Sequence, residues 1–151
     1  MITYLQGDAT NPIVKPAIIV HICNDVGAWG AGFVMAISQK WKLPETKYRE
    51  WLRKPDEDFI LGKVQFVDVG SDIYIANMIA QHNIHKKGTP RGIYIRYDAL
   101  DTALQAVANY RKDVSIHMPR IGCGLAGGTW EKIEPIIEKN LSEFDVYVYD
   151  F

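Results

Sequence analysis

Apolar and polar positions along the chain follow two different periods, which predict an ordered series of strands and helices. Residues 17–22 form a nearly continuous apolar run with β-branched side chains, which predicts a central strand covered on both faces. In residues 33–41 the side chains of Phe33, Ile37 and Trp41 lie four apart, the spacing of one helix face. Residues 17–41 are therefore predicted to contain a buried strand followed by an amphipathic helix.

The same criteria assign the remaining segments. Further strands are predicted at 2–5, 63–69, 72–79, 114–118 and 145–149, and further helices from Pro44, over 97–112 and from Thr129. Gly70 and Ser71 separate two of the strands and predict a hairpin. Thr129 is a suitable N-cap, whereas Pro135 should kink the last helix or mark its true beginning. Helices between strands predict a layered α/β domain around a mixed sheet.

Two connecting segments and one helix face complete this prediction. Tyr48, Trp51 and Leu52 predict an apolar stripe on the second helix. Residues 54–58 form a charged link. Residues 81–95 form an irregular surface loop, and loops of this length are often functional.

Length and composition restrict the class of protein. With 151 residues, 48% hydrophobic and 23% charged, the chain is expected to be one globular domain, with a monomer favoured. The net charge of −1 argues against nucleic acid as a partner, because proteins that bind nucleic acid present a basic face. No apolar run approaches the roughly 20 residues of a membrane span, and the N-terminus does not resemble a signal peptide. The two cysteines fit no zinc spacing, so a cytoplasmic protein with reduced thiols, no metal ion and no cofactor is expected.

Two glycine-rich segments each follow a predicted strand. Residues 122–128 contain four glycines between a strand and a helix, and residues 27–32 contain three. Glycine lets a ligand approach the main chain closely, and unpaired amides at a helix N-terminus suit a phosphate. The alternative for either segment alone is a flexible connector. Two such loops in one small domain favour a diphosphate held between them.

Polar side chains near the strand ends are candidates for ligand contacts, because ligands of open α/β sheets bind there. Asp8 suits an exocyclic amine or a hydroxyl, and an Asx turn is an equal alternative. Asn24 suits sugar hydroxyls and equally suits a turn. For His21, inside an apolar run, a core histidine bonded to a carbonyl is favoured over a catalytic one. The cysteines are favoured as small buried side chains rather than nucleophiles.

The irregular loop contains further ionisable residues. His82 and His85 lie three apart, which is only a weak indication of a metal site without a companion ligand. Lys86 and Lys87 are most simply a solvated pair, and the alternative is that they close over phosphates.

Taken together, four motifs resemble the macro domain family. They are Gly7-Asp8, His21-Ile-Cys-Asn24, the Gly-Ala-Trp-Gly-Ala-Gly-Phe loop from residue 27, and Met-Pro-Arg-Ile-Gly-Cys-Gly-Leu from residue 118. The chain is most similar to the terminal ADP-ribose protein glycohydrolase-like subgroup. Through Trp29 it also resembles yeast-type ADP-ribose 1''-phosphate phosphatases. The resemblance implies a single macro domain over residues 1–151, with a three-layer architecture and a mixed six-stranded sheet between helices.

The resemblance further implies an ADP-ribose cleft. Asp8 would bind the adenine amino group, Asn24 would meet the distal ribose, and Tyr149 and Phe151 would lie against adenine. The two glycine loops would surround the diphosphate with main-chain amides. The full set of implied ligand-binding residues is Asp8, Ala9, Asn24, Trp29, Gly30, Ala31, Gly32, Phe33, Pro119, Ile121, Gly122, Cys123, Gly124, Leu125, Ala126, Tyr149 and Phe151.

Two positions depart from the glycohydrolase-like subgroup, which uses a lysine and an aspartate. Gln81 stands where the lysine is expected and Ala126 where the aspartate is expected. A glutamine amide is not a nucleophile, and an alanine transfers no proton. Two routes remain: a water held near the anomeric carbon by Asn24, Gln81 or the diphosphate, or phosphate removal by His21 with Asp25 nearby.

The predicted catalytic residues are therefore Asn24, His21 and Gln81. The predicted function is that of an ADP-ribosyl hydrolase that removes mono-ADP-ribose from acidic side chains of proteins. Its partners would be ADP-ribose or an ADP-ribosylated protein. The alternatives are an ADP-ribose 1''-phosphate phosphatase and a non-catalytic ADP-ribose reader module.

Overall fold

A computed structural model describes residues 1–54 and 58–151. The predicted charged link at 54–58 includes residues 55–57, which lie outside the described residues. In chain order the elements are β1 (Ile2–Gln6), β2 (Ala17–Asn24), α1 (Phe33–Lys40), α2 (Leu43–Arg53), β3 (Val64–Asp68), β4 (Ile73–Gln81), α3 (Tyr97–Tyr110), β5 (Ser115–Met118), α4 (Trp130–Asn140) and β6 (Val146–Asp150). The predicted order of strands and helices is confirmed, and the observed bounds differ from the predicted ones by a few residues.

The six strands form one mixed sheet in the order β1-β6-β5-β2-β4-β3. The β3 strand pairs antiparallel with β4, as the predicted hairpin requires, and the other neighbours are parallel. The predicted central strand is β2, which lies between β5 and β4 and is buried along almost its whole length. Because β2, β4 and β5 are parallel, their carboxyl ends lie at the same edge of the sheet.

Helices cover both faces of the sheet. Alternate side chains of β2 point to opposite faces, so Ile18 and Val20 belong to one hydrophobic cluster and Ile19 and Cys23 to the other. The first cluster includes residues of α3 and α4, and the second includes residues of α1 and α2. The α/β architecture of a mixed six-stranded sheet between helices is therefore confirmed.

Two local predictions need correction, and a third is confirmed in position only. Thr129 is the N-cap residue of α4, but its side chain makes no capping hydrogen bond. Pro135 lies inside α4 and does not mark its beginning, since the helix starts at Trp130. Leu52 is 42% exposed, because the apolar stripe of α2 is centred on Tyr48 and Trp51 and Leu52 lies at its edge.

Candidate functional site

A cavity of about 500 Å³ opens at the carboxyl ends of β2, β4 and β5. Four segments line it. They are the end of β2, residues 27–34 (the first glycine loop and the start of α1), residues 82–94, and residues 119–128 (the second glycine loop). Residues 82–94 connect β4 to α3 and are called the hairpin loop here, because their flanking residues Gln81 and Ile95 pair antiparallel; this loop is distinct from the β3–β4 hairpin. The cavity volume lies within the range of roughly 300–1,000 Å³ that is usual for small-molecule sites.

Asn24, at the end of β2, holds the first glycine loop in place. Its Oδ1 accepts hydrogen bonds from the N–H groups of Val26 and Ala28, both at 3.0 Å, and its Nδ2 donates to the Ala28 carbonyl at 2.8 Å. The Tyr48 hydroxyl of α2 donates to the Asn24 carbonyl at 2.6 Å. The predicted turn role of Asn24 is therefore present, and one N–H of its amide remains for a ligand, since the residue also lines the cavity.

The second glycine loop is closed by its own backbone. The Gly128 N–H donates to the Gly122 carbonyl at 2.7 Å, and the Gly127 N–H donates to the Gly124 carbonyl at 3.1 Å. Gly122 has φ +75°, and a Cβ there would lie 2.5 Å from Ile95 Cδ1, so the turn requires glycine. At Gly124 a Cβ would meet nothing within 4 Å, because that position faces the open cavity.

Both glycine loops present main-chain amides that have no partner among the described residues. Within residues 1–54 and 58–151, no acceptor takes a hydrogen bond from the N–H groups of 30–34 or of 123–126. Most of these residues line the cavity, and Phe33 and Val34 begin α1. Unpaired amides at a helix N-terminus and in a glycine turn form an anion-binding concavity. The arrangement suits two phosphate groups side by side.

His21 lies at the cavity wall but is only 2% exposed. Its Nε2 lies 2.5 Å from Asn77 Oδ1, while Asn77 Nδ2 donates to the Pro44 carbonyl and to Gln65 Oε1. Because these two acceptors orient the Asn77 amide, His21 Nε2 carries the proton and Nδ1 is unprotonated. Burial lowers the pKa of His21 to about 4, so the ring is neutral at pH 7. The favoured alternative, a core histidine bonded to a carbonyl oxygen, is present, and that oxygen belongs to a side chain.

The expectation that Asp25 assists His21 is wrong. Asp25 Oδ2 lies 2.6 Å from His82 Nδ1, and Asp25 Oδ1 accepts the Asn83 N–H at 2.8 Å. Asp25 follows the last residue of β2 and therefore points away from the interior of the sheet, towards the hairpin loop. Its carboxylate ties the first glycine loop to the hairpin loop.

Gln81 and Ala126, the two positions that depart from the subgroup's motif, both line the cavity. Gln81 Nε2 donates to the Asn83 carbonyl at 3.0 Å, so Oε1 is left as an acceptor. The Ala126 carbonyl accepts the N–H groups of both Tyr94 and Ile95, at 2.8 and 3.0 Å. The second glycine loop is thus joined to the hairpin loop through its backbone at Ala126.

Two predicted adenine contacts lie beyond the residues that line the cavity. Asp8 Oδ1 accepts the Thr10 N–H at 2.8 Å and the Thr10 hydroxyl at 2.7 Å, which is the Asx-turn alternative. The Tyr149 hydroxyl accepts the Ile13 N–H and bonds His117 Nδ1 at 2.7 Å, so it is already used inside the protein.

The remaining predicted ligand residues divide into those that do not line the cavity and those that do. Cys123 is half-buried and does not line it. Ala9 and Trp29 are buried, and Trp29 packs against the His21 ring and donates to Ser38 Oγ at 2.8 Å. Phe151 is fully exposed. Those that line the cavity are Asn24, Gly30, Ala31, Gly32, Phe33, Pro119, Ile121, Gly122, Gly124, Leu125 and Ala126.

The cysteines do not form a reactive pair. Burial raises the pKa of the Cys23 thiol, which is 3% exposed, and raises that of Cys123 as well. Both thiols are therefore protonated at pH 7, as expected for packing side chains.

Eight residues that line the cavity are absent from the predicted site. They are Ile22, Cys23, Ala28, Val34, Ile84, His85, Arg91 and Arg120. Arg120 stands inside the quoted Met-Pro-Arg motif, so its position was available from the sequence. Arg91 was not, because the sequence does not show how the hairpin loop folds back.

Solved structures that share this fold align with the entire chain. A macrodomain protein from Streptomyces coelicolor is 46% identical, with 100% of this chain and 99% of that chain covered and a TM-score of 0.87. A protein of unknown function from Bacteroides thetaiotaomicron is 52% identical, with 100% and 98% covered and a TM-score of 0.92.

Curated relatives also align over nearly the whole chain. A mouse chromodomain-helicase-DNA-binding protein 1-like protein is 32% identical over 99% of this chain, and the chain spans only 18% of that relative's length. An ADP-ribose 1''-phosphate phosphatase from Lodderomyces elongisporus is 28% identical, with 99% of both proteins covered. No family model matches the chain.

Proposed function

The chain belongs to the macro domain family, and on that premise we propose that it binds ADP-ribose and hydrolyses mono-ADP-ribose esters of acidic side chains. The supporting observation is the pair of unpaired amide rows, at 30–34 and 123–126, along one cavity of about 500 Å³. A diphosphate needs several donors that do not themselves require neutralisation, and backbone amides provide them. A net charge of −1 is compatible with such a site.

In this proposal the ligand extends across the strand ends. The diphosphate lies between the two glycine loops, which follow β2 and β5. The adenosine end points towards β6 and β1, where the family resemblance assigns Asp8 and Tyr149. The distal ribose then points towards β4, where Gln81 lines the cavity next to Asn24 of β2.

Hydrolysis in this cavity depends on positioning rather than on a side-chain base. Among the described residues that line the cavity there is no aspartate or glutamate, and Ala126 has no ionisable group. A water held by Gln81 Oε1 adds to the anomeric carbon as the bond from that carbon to the ester oxygen breaks. The carboxylate leaves with the electron pair, and the proton of the water passes to solvent. A carboxylate is a good leaving group, so orientation and the amide field suffice for slow turnover.

The decisive experiment combines binding and release. Calorimetry with ADP-ribose should show saturable binding, and incubation with glutamate-linked ADP-ribosylated protein should release free ADP-ribose. The Gln81→Ala variant should bind normally but release more slowly. Binding without any release would leave a reader module as the function, and no binding at millimolar ligand would refute the whole proposal.

ADP-ribose 1''-phosphate hydrolysis is the second candidate, because of His21. His21 is among the residues that line the cavity and its ring is neutral at pH 7, and an unprotonated imidazole nitrogen can act on a phosphate monoester. Phosphate release from ADP-ribose 1''-phosphate tests this candidate directly. A His21→Ala variant that retains full phosphatase activity would exclude the histidine route.

A further inference from the structure

The hairpin loop, residues 82–94, begins and ends at one point of the sheet. The His82 N–H donates to the Tyr94 carbonyl at 2.8 Å, and Gln81 and Ile95 form an antiparallel bridge. The Arg96 N–H then donates to the Ala80 carbonyl at 2.8 Å. The loop therefore extends from the carboxyl end of β4 and returns to it.

Asp25, which precedes the first glycine loop, and Ala126, in the second glycine loop, hold the hairpin loop against the cavity. Asp25 binds its first residues through His82 and Asn83. At its other end, the Ala126 carbonyl accepts the N–H groups of Tyr94 and Ile95. Contacts at both ends fix which residues face inward.

Within the loop, a tight turn separates outward from inward side chains. The Thr89 N–H donates to the Lys86 carbonyl at 3.1 Å, and His85 Nε2 donates to the Thr89 carbonyl at 2.9 Å. Lys86 and Lys87 are exposed on this turn and do not line the cavity, whereas His85 and Arg91 do. The cation that the loop offers to a ligand is therefore Arg91 rather than the lysine pair.

Arg91 differs from the other arginine of the cavity in its partners. Arg120 donates to both carboxylate oxygens of Asp150, at 2.8 and 3.0 Å, so its charge is neutralised. Within the described parts of the chain, no carboxylate lies within ion-pair distance of the Arg91 guanidinium. A guanidinium without a protein partner at the mouth of a cavity is suited to bidentate pairing with a phosphate.

We propose that Arg91 is a specificity-determining residue that pairs with a phosphate on the distal ribose of the ligand. The inference rests on the proposed ADP-ribose site, because that site directs the distal ribose towards β4, where the hairpin loop begins. The diphosphate is held by the amides of the two glycine loops, so Arg91 is left for a further phosphate. ADP-ribose 1''-phosphate is a ligand of this kind.

The test compares two ligands on three variants. ADP-ribose and ADP-ribose 1''-phosphate compete with a fluorescent ADP-ribose analogue, and affinities are read before any phosphate is released. The wild-type protein should bind the phosphorylated ligand about tenfold more tightly, since charge-assisted hydrogen bonds contribute roughly that factor. Arg91→Ala should remove this preference and change the ADP-ribose affinity by about twofold at most, and Arg91→Lys should keep part of it. Lys87→Ala, a cation of the same loop outside the cavity, should keep all of it.

The possible failures are distinguishable. If the wild-type protein binds both ligands equally, the assignment of Arg91 is wrong and the ADP-ribose site stands. If Arg91→Ala weakens both ligands by the same factor, Arg91 pairs with the diphosphate and determines no preference. If neither ligand binds the wild-type protein, the proposed function and this inference fail together.

Discussion

Gly122 and Gly124 lie two residues apart in the second glycine loop but require glycine for different reasons. Gly122 has φ +75°, and a Cβ there would also lie 3.0 Å from Ile133 Cδ1. Gly124 has open space where its Cβ would be. The first glycine permits the fold of the loop, and the second leaves room for a ligand.

Substitutions at these two glycines should therefore affect different properties, ligand affinity at Gly124 and stability at Gly122. We expect Gly124→Val to reduce ADP-ribose affinity at least tenfold, because the side chain fills the approach to the unpaired amides, with a change in unfolding free energy of at most ~0.5 kcal/mol. Gly122→Ala should instead cost about 1–3 kcal/mol of unfolding free energy, through backbone strain and the contact with Ile95. Calorimetry and urea unfolding measure the two effects. Unchanged affinity in Gly124→Val would mean that the phosphates bind elsewhere.

Single residues also show where the sequence was insufficient. The composition of the glycine loops predicted their position in the cavity, because glycine spacing is a local signal. The partner of His21 could not be predicted, since Asn77 lies 56 residues away and on another strand. For Asn24 the turn and ligand roles could not be separated, because both use the same amide.

At the scale of elements, α2 determines the shape of the first glycine loop. Tyr48 is fully buried, and its hydroxyl bonds both the carbonyl and the side-chain oxygen of Asn24, at 2.6 and 3.0 Å. Asn24 in turn holds Val26 and Ala28. A helix that does not line the cavity thus positions the amides that do.

Removing the Tyr48 hydroxyl should loosen that loop. We expect Tyr48→Phe to lower the unfolding free energy by about 1–2 kcal/mol, the usual cost of a lost buried hydrogen bond, and to weaken ADP-ribose binding several-fold. Tyr110→Phe, at an exposed position on α3, is the matched control and should change neither quantity. Equal affinity for wild type and Tyr48→Phe would show that the loop keeps its shape without α2.

The elements themselves were largely predictable because each follows a local rule. Continuous apolar runs predicted the buried parallel strands, and four-residue spacing predicted α1 and α3. For α4 the start at Thr129 was predicted, but Pro135 left a later start open, since a proline is usually excluded from a helix interior; here it lies inside the helix at an exposed position. The path of the hairpin loop depends on contacts with both glycine loops, so no local pattern could indicate it.

At the scale of the whole molecule, two buried histidines make the fold sensitive to acid. His21 lies on β2 and His117 on β5, and burial lowers the pKa of each from 6.5 to about 4. The unfolded chain therefore binds more protons than the folded protein between pH 6.5 and 4. Their contribution to stability is fully present above pH 6.5 and is lost as the pH falls towards 4.

As the pH falls from 6.5 to 4, proton uptake by each histidine of the unfolded chain should lower the unfolding free energy by about 3 kcal/mol. Urea unfolding at several pH values between 7 and 4 should show a steep decrease. In His117→Gln the decrease should be about half as steep, because one of the two proton uptakes is absent. A slope equal to that of the wild type would mean that His117 binds protons equally in the folded and unfolded states.

No helix among the described residues is long and apolar enough to cross a membrane. The overall architecture could be predicted because the alternation of strands and helices leaves few arrangements of the sheet. The side-chain hydrogen bonds that connect neighbouring strands, such as the one between His21 and Asn77, could not be predicted, since they join residues that are distant in sequence.

Because the Tyr94 and Ile95 N–H groups share the Ala126 carbonyl as acceptor, their hydrogen exchange reports the opening of the cavity. The Tyr94 and Ile95 N–H groups exchange with deuterium only when the hairpin loop separates from the second glycine loop, because both donate to that one oxygen. Their exchange rates thus measure how often the cavity opens, and the measurement needs no attached probe and no substituted residue. A ligand that bridges the hairpin loop and the second glycine loop slows both exchange rates together, whereas a ligand bound elsewhere leaves them unchanged.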